Sequence, residues 1–256
     1  MKVLRTPDHR FKNLKDFPFE PNYTNIKDKS GVELRIHHLD EGPKDGPIVL
    51  LMHGQPVWSY LYRKMIPYLT KAGVRIIAPD LVGYGRSDKP SSIEDYTYQT
   101  QVDWMNTWIR QNDFKKLTFF GQDWGGLIGL RVIADNGDRF SGAVISNTGV
   151  PLSRNMDPET HRKIKEFKAS KYVPTTSEFV RAFKKPGPMA FAYWQKWSLN
   201  KKNFPAGLLV APMFEKRTRM QMKISGLFYE LGLEGISPLV SDLEKAYNAP
   251  FPNSSY

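Results

Sequence analysis

Apolar positions along the chain follow two alternating rhythms. Short β-rich runs at Glu33 to His38, Ile48 to His53, Val74 to Asp80, Lys116 to Gln122 and Phe140 to Asn147 are separated by longer stretches of helical period. In one of these, Tyr98, Val102, Met105 and Ile109 recur at spacings of four, three and four, which places them on one helical face. An earlier run at Tyr23 to Ile26, joined to Glu33 through Lys27-Asp28-Lys29-Ser30-Gly31, predicts an opening antiparallel hairpin. Strands rich in Val, Ile and Leu that alternate with helices predict a mostly parallel sheet covered on both faces, so the fold class is α/β, doubly wound.

After Val150-Pro151 the rhythm changes. Helical segments are predicted at Pro158 to Ser170, Thr176 to Phe183, Gly187 to Leu199, Met213 to Leu231 and Ser237 to Ala246, interrupted at Pro174, Pro186-Gly187-Pro188, Pro205 and Gly235. No strand pattern follows. The expected organisation is a core at residues 1–150 and a helical domain at 151–256, set beyond the carboxyl ends of the strands, where open α/β sheets bind ligands.

Composition narrows the chemistry. A chain of 256 residues with 40% hydrophobic and 13% aromatic content buries a full core, which excludes disorder. With no cysteine, thiolate metal sites and a cysteine nucleophile are excluded, and no cofactor is implied. No apolar run reaches membrane-spanning length, and Met1 to Lys15 is too charged for a signal peptide, so the expectation is a cytoplasmic protein with no membrane partner. The formal charge of +11 is uneven: residues 151–256 hold 17 Lys and Arg against 9 Asp and Glu, residues 1–150 hold 20 against 17. The basic residues are scattered among acidic and apolar ones, as in His161-Arg162-Lys163-Ile164-Lys165-Glu166, and no nucleic-acid module signature accompanies them, so no nucleic-acid partner is expected.

The strongest chemical signal is Leu117-Thr118-Phe119-Phe120-Gly121-Gln122-Asp123-Trp124-Gly125-Gly126, an apolar strand that enters Gly-x-Asp-x-Gly and then an apolar helix. This is the pattern of a nucleophile elbow with aspartate where serine usually stands. Asp123 is the candidate nucleophile; a plain helix cap would not need glycine on both sides. The residue type restricts the reaction. A carboxylate that displaces a leaving group from a saturated carbon forms an ester with an attackable carbonyl, whereas serine would form an inert ether. A second strand, Leu50-Leu51-Met52-His53-Gly54-Gln55-Pro56, runs into a glycine turn that supplies one oxyanion-hole N–H, that of Gln55, while Trp124 supplies the other. His53 is read as ordering this loop, not as a base. The Trp124 indole donates without accepting, which suits a departing halide in a dry pocket. Trp194 and Trp197 are both candidates for a second donor.

Together with Val57-Trp58-Ser59-Tyr60-Leu61-Tyr62-Arg63-Lys64-Met65-Ile66-Pro67 and Ala78-Pro79-Asp80-Leu81-Val82-Gly83-Tyr84-Gly85-Arg86-Ser87-Asp88-Lys89-Pro90, these motifs resemble the haloalkane dehalogenases of the α/β-hydrolase fold. The resemblance implies that Asp123 is the nucleophile, that Gln55 and Trp124 form the oxyanion hole, and that Trp124 binds halide together with Trp194, preferred to Trp197 because Phe191-x-x-Trp194 is similar to the family's cap pattern. It further implies a small haloalkane substrate with water as co-substrate, and a monomer when complete.

The same resemblance predicts a deficit. Family members follow a stretch like Ala246 to Tyr256 with two more strands that carry an acid and a catalytic histidine; the five histidines here, His9, His37, His38, His53 and His161, all precede it. Asn147 stands where one branch of the family has its acid. The expectation is a truncated family member, its C-terminal strands missing, that displaces halide but turns over poorly, with the strand at Phe140 to Asn147 left as an open edge through which chains can associate. An epoxide hydrolase, with Tyr172, Tyr193 or Tyr229 as proton donor, is the nearest rival, and a non-catalytic homologue that binds small apolar ligands is another.

Overall fold

Asp28 turns the opening hairpin by itself. Its carboxylate accepts hydrogen bonds from the N–H groups of Ser30 (2.8 Å) and Val32 (3.1 Å), and Gly31 adopts φ +83°. The computed structural model describes residues 1–149, 157–184, 187–201, 204–216, 220–221, 240–253 and 255–256. Its strands are β1 (Val3–Leu4), β2 (Asn22–Lys27), β3 (Glu33–Glu41), β4 (Ile48–Met52), β5 (Arg75–Pro79), β6 (Lys89–Pro90), β7 (Leu117–Gln122) and β8 (Phe140–Ser146). Its helices are α1 (Ile66–Lys71), α2 (Tyr98–Gln111), α3 (Asp123–Asp135), α4 (Pro158–Ala169), α5 (Thr176–Phe183), α6 (Pro188–Leu199), α7 (Ala206–Phe214) and α8 (Asp242–Asn248).

The main sheet has six strands in the order β2-β3-β5-β4-β7-β8. β3 runs antiparallel to both neighbours, and β5, β4, β7 and β8 are mutually parallel. Alternation along β4 shows why it must be covered twice: Leu50 and Met52 join one buried cluster with Trp104, Met105, Trp108 and Ile109 of α2, while Leu51 joins another with Trp58, Tyr60 and Tyr247. The predicted stripe on α2 is nearly correct. Val102, Met105 and Ile109 are buried, but Tyr98 lies in the first helical turn at the surface, its hydroxyl donating to the Leu127 carbonyl (3.0 Å). At the outer end of the sheet, Ser141 to Ile145 of β8 are all exposed. The two-residue strands β1 and β6, paired with each other, carried no periodicity to read.

The chain divides into two units, one of Met1–Val150 with Pro205–Tyr256 and the other of Pro151–Phe204. This departs from the expected helical domain at 151–256, and the reason lies in the C-terminal stretch. Ala246, Tyr247 and Ala249 are buried in the cluster around Trp58. The Trp58 indole donates to the Ala246 carbonyl (3.1 Å), the Thr6 hydroxyl to the Pro250 carbonyl (2.7 Å) and the Arg10 guanidinium to the carbonyls of Ala249 (3.1 Å) and Asn248 (3.2 Å). A helical period shows that a segment buries one face but not which core receives it.

Helix ends repeat the lesson. α5 coincides with its predicted range and α4 stops one residue short. Instead of a helix beginning at Met213, α7 already starts at Ala206, after Pro205, and ends at Phe214; the rest of that expected segment, apart from Glu215, Lys216, Met220 and Gln221, lies outside the described residues. α8 begins after Ser241, whose hydroxyl and the Glu244 carboxylate form a capping box. The smaller unit packs Phe179 of α5 against Trp194 and Trp197 of α6, and Lys196 donates to carbonyls at the end of α4. Among the described residues no helix is long and apolar enough to cross a membrane.

His38 on β3 makes this core sensitive to acid. It is buried edge-on against Trp108 (5.4 Å between ring centroids), and burial, reinforced by the charge of His37, pushes its pKa down to about 4. A histidine with a depressed folded pKa costs stability as the pH falls. Below about 6.5 the unfolded chain takes up a proton that the native chain refuses until about 4, a loss of about 3 kcal/mol across that window. Urea midpoints at pH 7 and pH 4.5 should therefore converge in His38→Phe relative to wild type; an unchanged gap would contradict this.

Candidate active site

The junction of β7 and α3 is abrupt: Gln122 is the last strand residue and Asp123 the first helical one. Asp123 makes the turn at φ +53°, a left-handed conformation that costs a non-glycine residue on the order of 1–3 kcal/mol and persists only where surroundings enforce it. The strain is thus on the aspartate, and the glycines around it serve close approach. A Cβ on Gly125 would lie on the carbonyl oxygens of Met52 and His53, and one on Gly121 would strike the Phe119 ring. α3 can therefore start only a strand's thickness from β4.

The loop after β4 meets the nucleophile directly. The Gln55 N–H donates to Asp123 Oδ1 at 2.8 Å, and a Cβ on Gly54 would overlap that carboxylate. Among the described residues, no hydrogen bond engages Oδ2. Trp124 is the second residue of α3, where a backbone N–H has no intrahelical acceptor. Its ring packs partly buried against the core, and its indole N–H has no hydrogen-bond partner among the described residues.

Trp194 and Trp197 differ in the smaller unit. Trp197 is buried and its indole donates to Thr176 Oγ1 (3.2 Å). Trp194 is half-buried among Phe179, Phe183 and Phe204, with no hydrogen bond on its indole among the described residues. Of the tyrosines considered as epoxide-opening donors, Tyr172 is hydrogen-bonded to Glu178, Tyr193 stacks on Phe167 (4.5 Å), and Tyr229 lies outside the described residues.

His53, in the loop that meets the elbow, is committed to the loops around it. Nδ1 of His53 donates to the Gly54 carbonyl (2.9 Å) and Nε2 accepts from the Leu81 N–H (3.0 Å), so both nitrogens hold loops. Burial also lowers the His53 pKa, against the opposing charge of Asp80, which keeps the ring neutral. His37 and His38 are buried on β3, and His9 and His161 are exposed.

The segment from Asp80 to Lys89 has no role assigned from the sequence alone. Asp80 is fully buried and gathers three segments, accepting from the N–H groups of Ser59 (2.8 Å) and Arg86 (2.8 Å) and pairing with His37 Nδ1 (2.7 Å). Burial alone would raise its pKa, but the charge and hydrogen bond of His37 and the Arg86 N–H outweigh it and hold Asp80 below the usual carboxylate range. Gly85, at φ +48°, lets the chain wrap over that carboxylate, and Lys89 closes the loop by donating to the carbonyls of Gly85 (2.8 Å) and Ser87 (3.0 Å). Tyr84 in this loop rests edge-on against His53 (5.5 Å), and burial together with the charge of Asp123 raises its pKa. The cluster of Asp, Gly and Lys between Asp80 and Pro90 was the available signal.

A parallel sheet, a strained acidic elbow at the end of its strand and a facing loop N–H define an α/β hydrolase, and the sequence profile of the alpha/beta hydrolase fold matches residues 47–191. A haloalkane dehalogenase from Mycobacterium marinum is 38% identical over all 256 residues, which cover 69% of its length, and one from Psychrobacter cryohalolentis is 56% identical over 167 residues, 65% of this chain. The solved tetrameric haloalkane dehalogenase DpaA from Paraglaciecola agarilytica NO2 superposes with a TM-score of 0.59 at 28% identity, covering 97% of this chain and 77% of that one. The chain belongs to the haloalkane dehalogenase family. Its match to the Psychrobacter enzyme spans only 55% of that relative's length.

Proposed function

We propose that this chain carries out the displacement half of haloalkane dehalogenation, on a small haloalkane. Oδ2 of Asp123 attacks the halogen-bearing carbon; a carbon–oxygen bond forms, the carbon–halogen bond breaks, and its electron pair leaves with the halide. The Trp124 indole N–H stabilises the departing anion. The product is an alkyl ester of Asp123. In the second half-reaction water attacks the ester carbon, the N–H groups of Gln55 and Trp124 receive the developing oxyanion, and alcohol departs. That step needs a base to take the proton of water, and the five histidines include none that is free beside Asp123. The observation that carries the reading is the Gln55 N–H at 2.8 Å on one carboxylate oxygen of an aspartate held at φ +53°.

Incubation with 1-bromobutane followed by intact-mass analysis tests both halves. The expected result is one butyl adduct per chain, on Asp123, with one equivalent of bromide. Bromide released over many turnovers without adduct would refute the arrested ester, and no adduct with no bromide would refute displacement. An adduct from styrene oxide but not from bromobutane would move the reading to an epoxide hydrolase.

A further inference from the structure

We propose that Thr148 is a positioning residue for the nucleophile, a reading that rests on the proposed displacement chemistry. The Thr148 hydroxyl donates to the backbone carbonyl of Asp123 at 2.7 Å. Its methyl and Cβ lie where a side chain on Gly126 would be, so Thr148 sits against the first turn of α3. The peptide on the other side of the same residue is held as well: the Asp123 N–H donates to the Asn147 carbonyl at 3.1 Å.

These contacts form a clamp. A left-handed aspartate relaxes toward ordinary helical dihedrals unless its surroundings over-determine it. Three hydrogen bonds from outside α3 reach Asp123 among the described residues: Gln55 N–H to the carboxylate, Asn147 carbonyl to the N–H, and Thr148 hydroxyl to the carbonyl. Two of them use backbone groups of Gln55 and Asn147, which most side-chain substitutions leave in place. The third uses a side chain, and it fixes the carbonyl whose rotation would swing the carboxylate away from the Gln55 N–H. Thr148 follows β8, the outermost strand, so the end of an exposed strand sets the aim of the central carboxylate.

The test compares Thr148→Val, which keeps the shape and loses the hydroxyl, with Thr148→Ser, which keeps the hydroxyl and loses the methyl. With 1-bromobutane, Thr148→Val is expected to slow alkylation of Asp123 by about 10- to 100-fold at an unchanged half-saturating concentration, a cost typical of a misaimed reacting group, while Thr148→Ser stays near the wild-type rate. Deuterium exchange of the peptide spanning Gln122 to Leu127 is expected to accelerate in Thr148→Val alone. Wild-type alkylation and exchange in Thr148→Val, or equal loss in both variants, would overturn the clamp. A wild-type chain that forms no adduct would overturn the proposed function instead, and the exchange comparison would still decide the role of Thr148.

Discussion

Asp123→Asn is expected to form no butyl adduct with 1-bromobutane, a loss of about four orders of magnitude or more in the alkylation rate. An amide has nearly the size of a carboxylate but no anionic oxygen to attack a saturated carbon. Its carbonyl oxygen still accepts the Gln55 N–H bond, made at 2.8 Å in the parent, so the elbow has no reason to open. Asparagine also tolerates the left-handed φ of +53° as well as aspartate does. Halide quenching of tryptophan fluorescence should therefore persist in the variant, because the indole donors remain. An adduct at the parental rate would show that another residue is the nucleophile, and loss of both quenching and folding would show that the carboxylate is structural.

Gly125→Ala is expected to destabilise the fold by on the order of 3 kcal/mol and to abolish alkylation with it. The new methyl would lie on the carbonyl oxygens of Met52 and His53, both backbone, so no side chain can rotate aside. α3 would have to lift from β4, which would part Asp123 from the Gln55 N–H. For a chain of this size the melting temperature should fall by on the order of 10 °C. Gly137→Ala is the control, since a Cβ there meets nothing within 4 Å, and it should melt near the parental temperature. Equal melting temperatures for the two variants would contradict the close approach.

The elbow was readable because its chemistry is written in adjacent residues: strand, glycine, aspartate and helix follow one another between Leu117 and Gly126. The Gln55 partner was readable because a strand that ends in His-Gly-Gln-Pro has few places to point its first free N–H. Thr148 and Asp80 were not readable in this way. Thr148 bonds Asp123 across 25 positions, and Asp80, although it opens a cluster of Asp, Gly and Lys, also receives bonds from His37 and Ser59, 43 and 21 positions away. That the Trp197 indole N–H is spent on Thr176 is likewise a property of neighbours and not of spacing.

Periodicity and turn chemistry alone determined the α/β class, all six strands of the main sheet to within a few residues and the opening hairpin, because each depends on residues close in sequence. Only tertiary structure decided which unit receives Pro205 to Tyr256, that strain rests on Asp123 while glycines make room, and that His53 is occupied at both nitrogens. Those outcomes depend on what packs against a side chain from far along the chain, and burial and hydrogen-bond partnership are set only when distant segments meet.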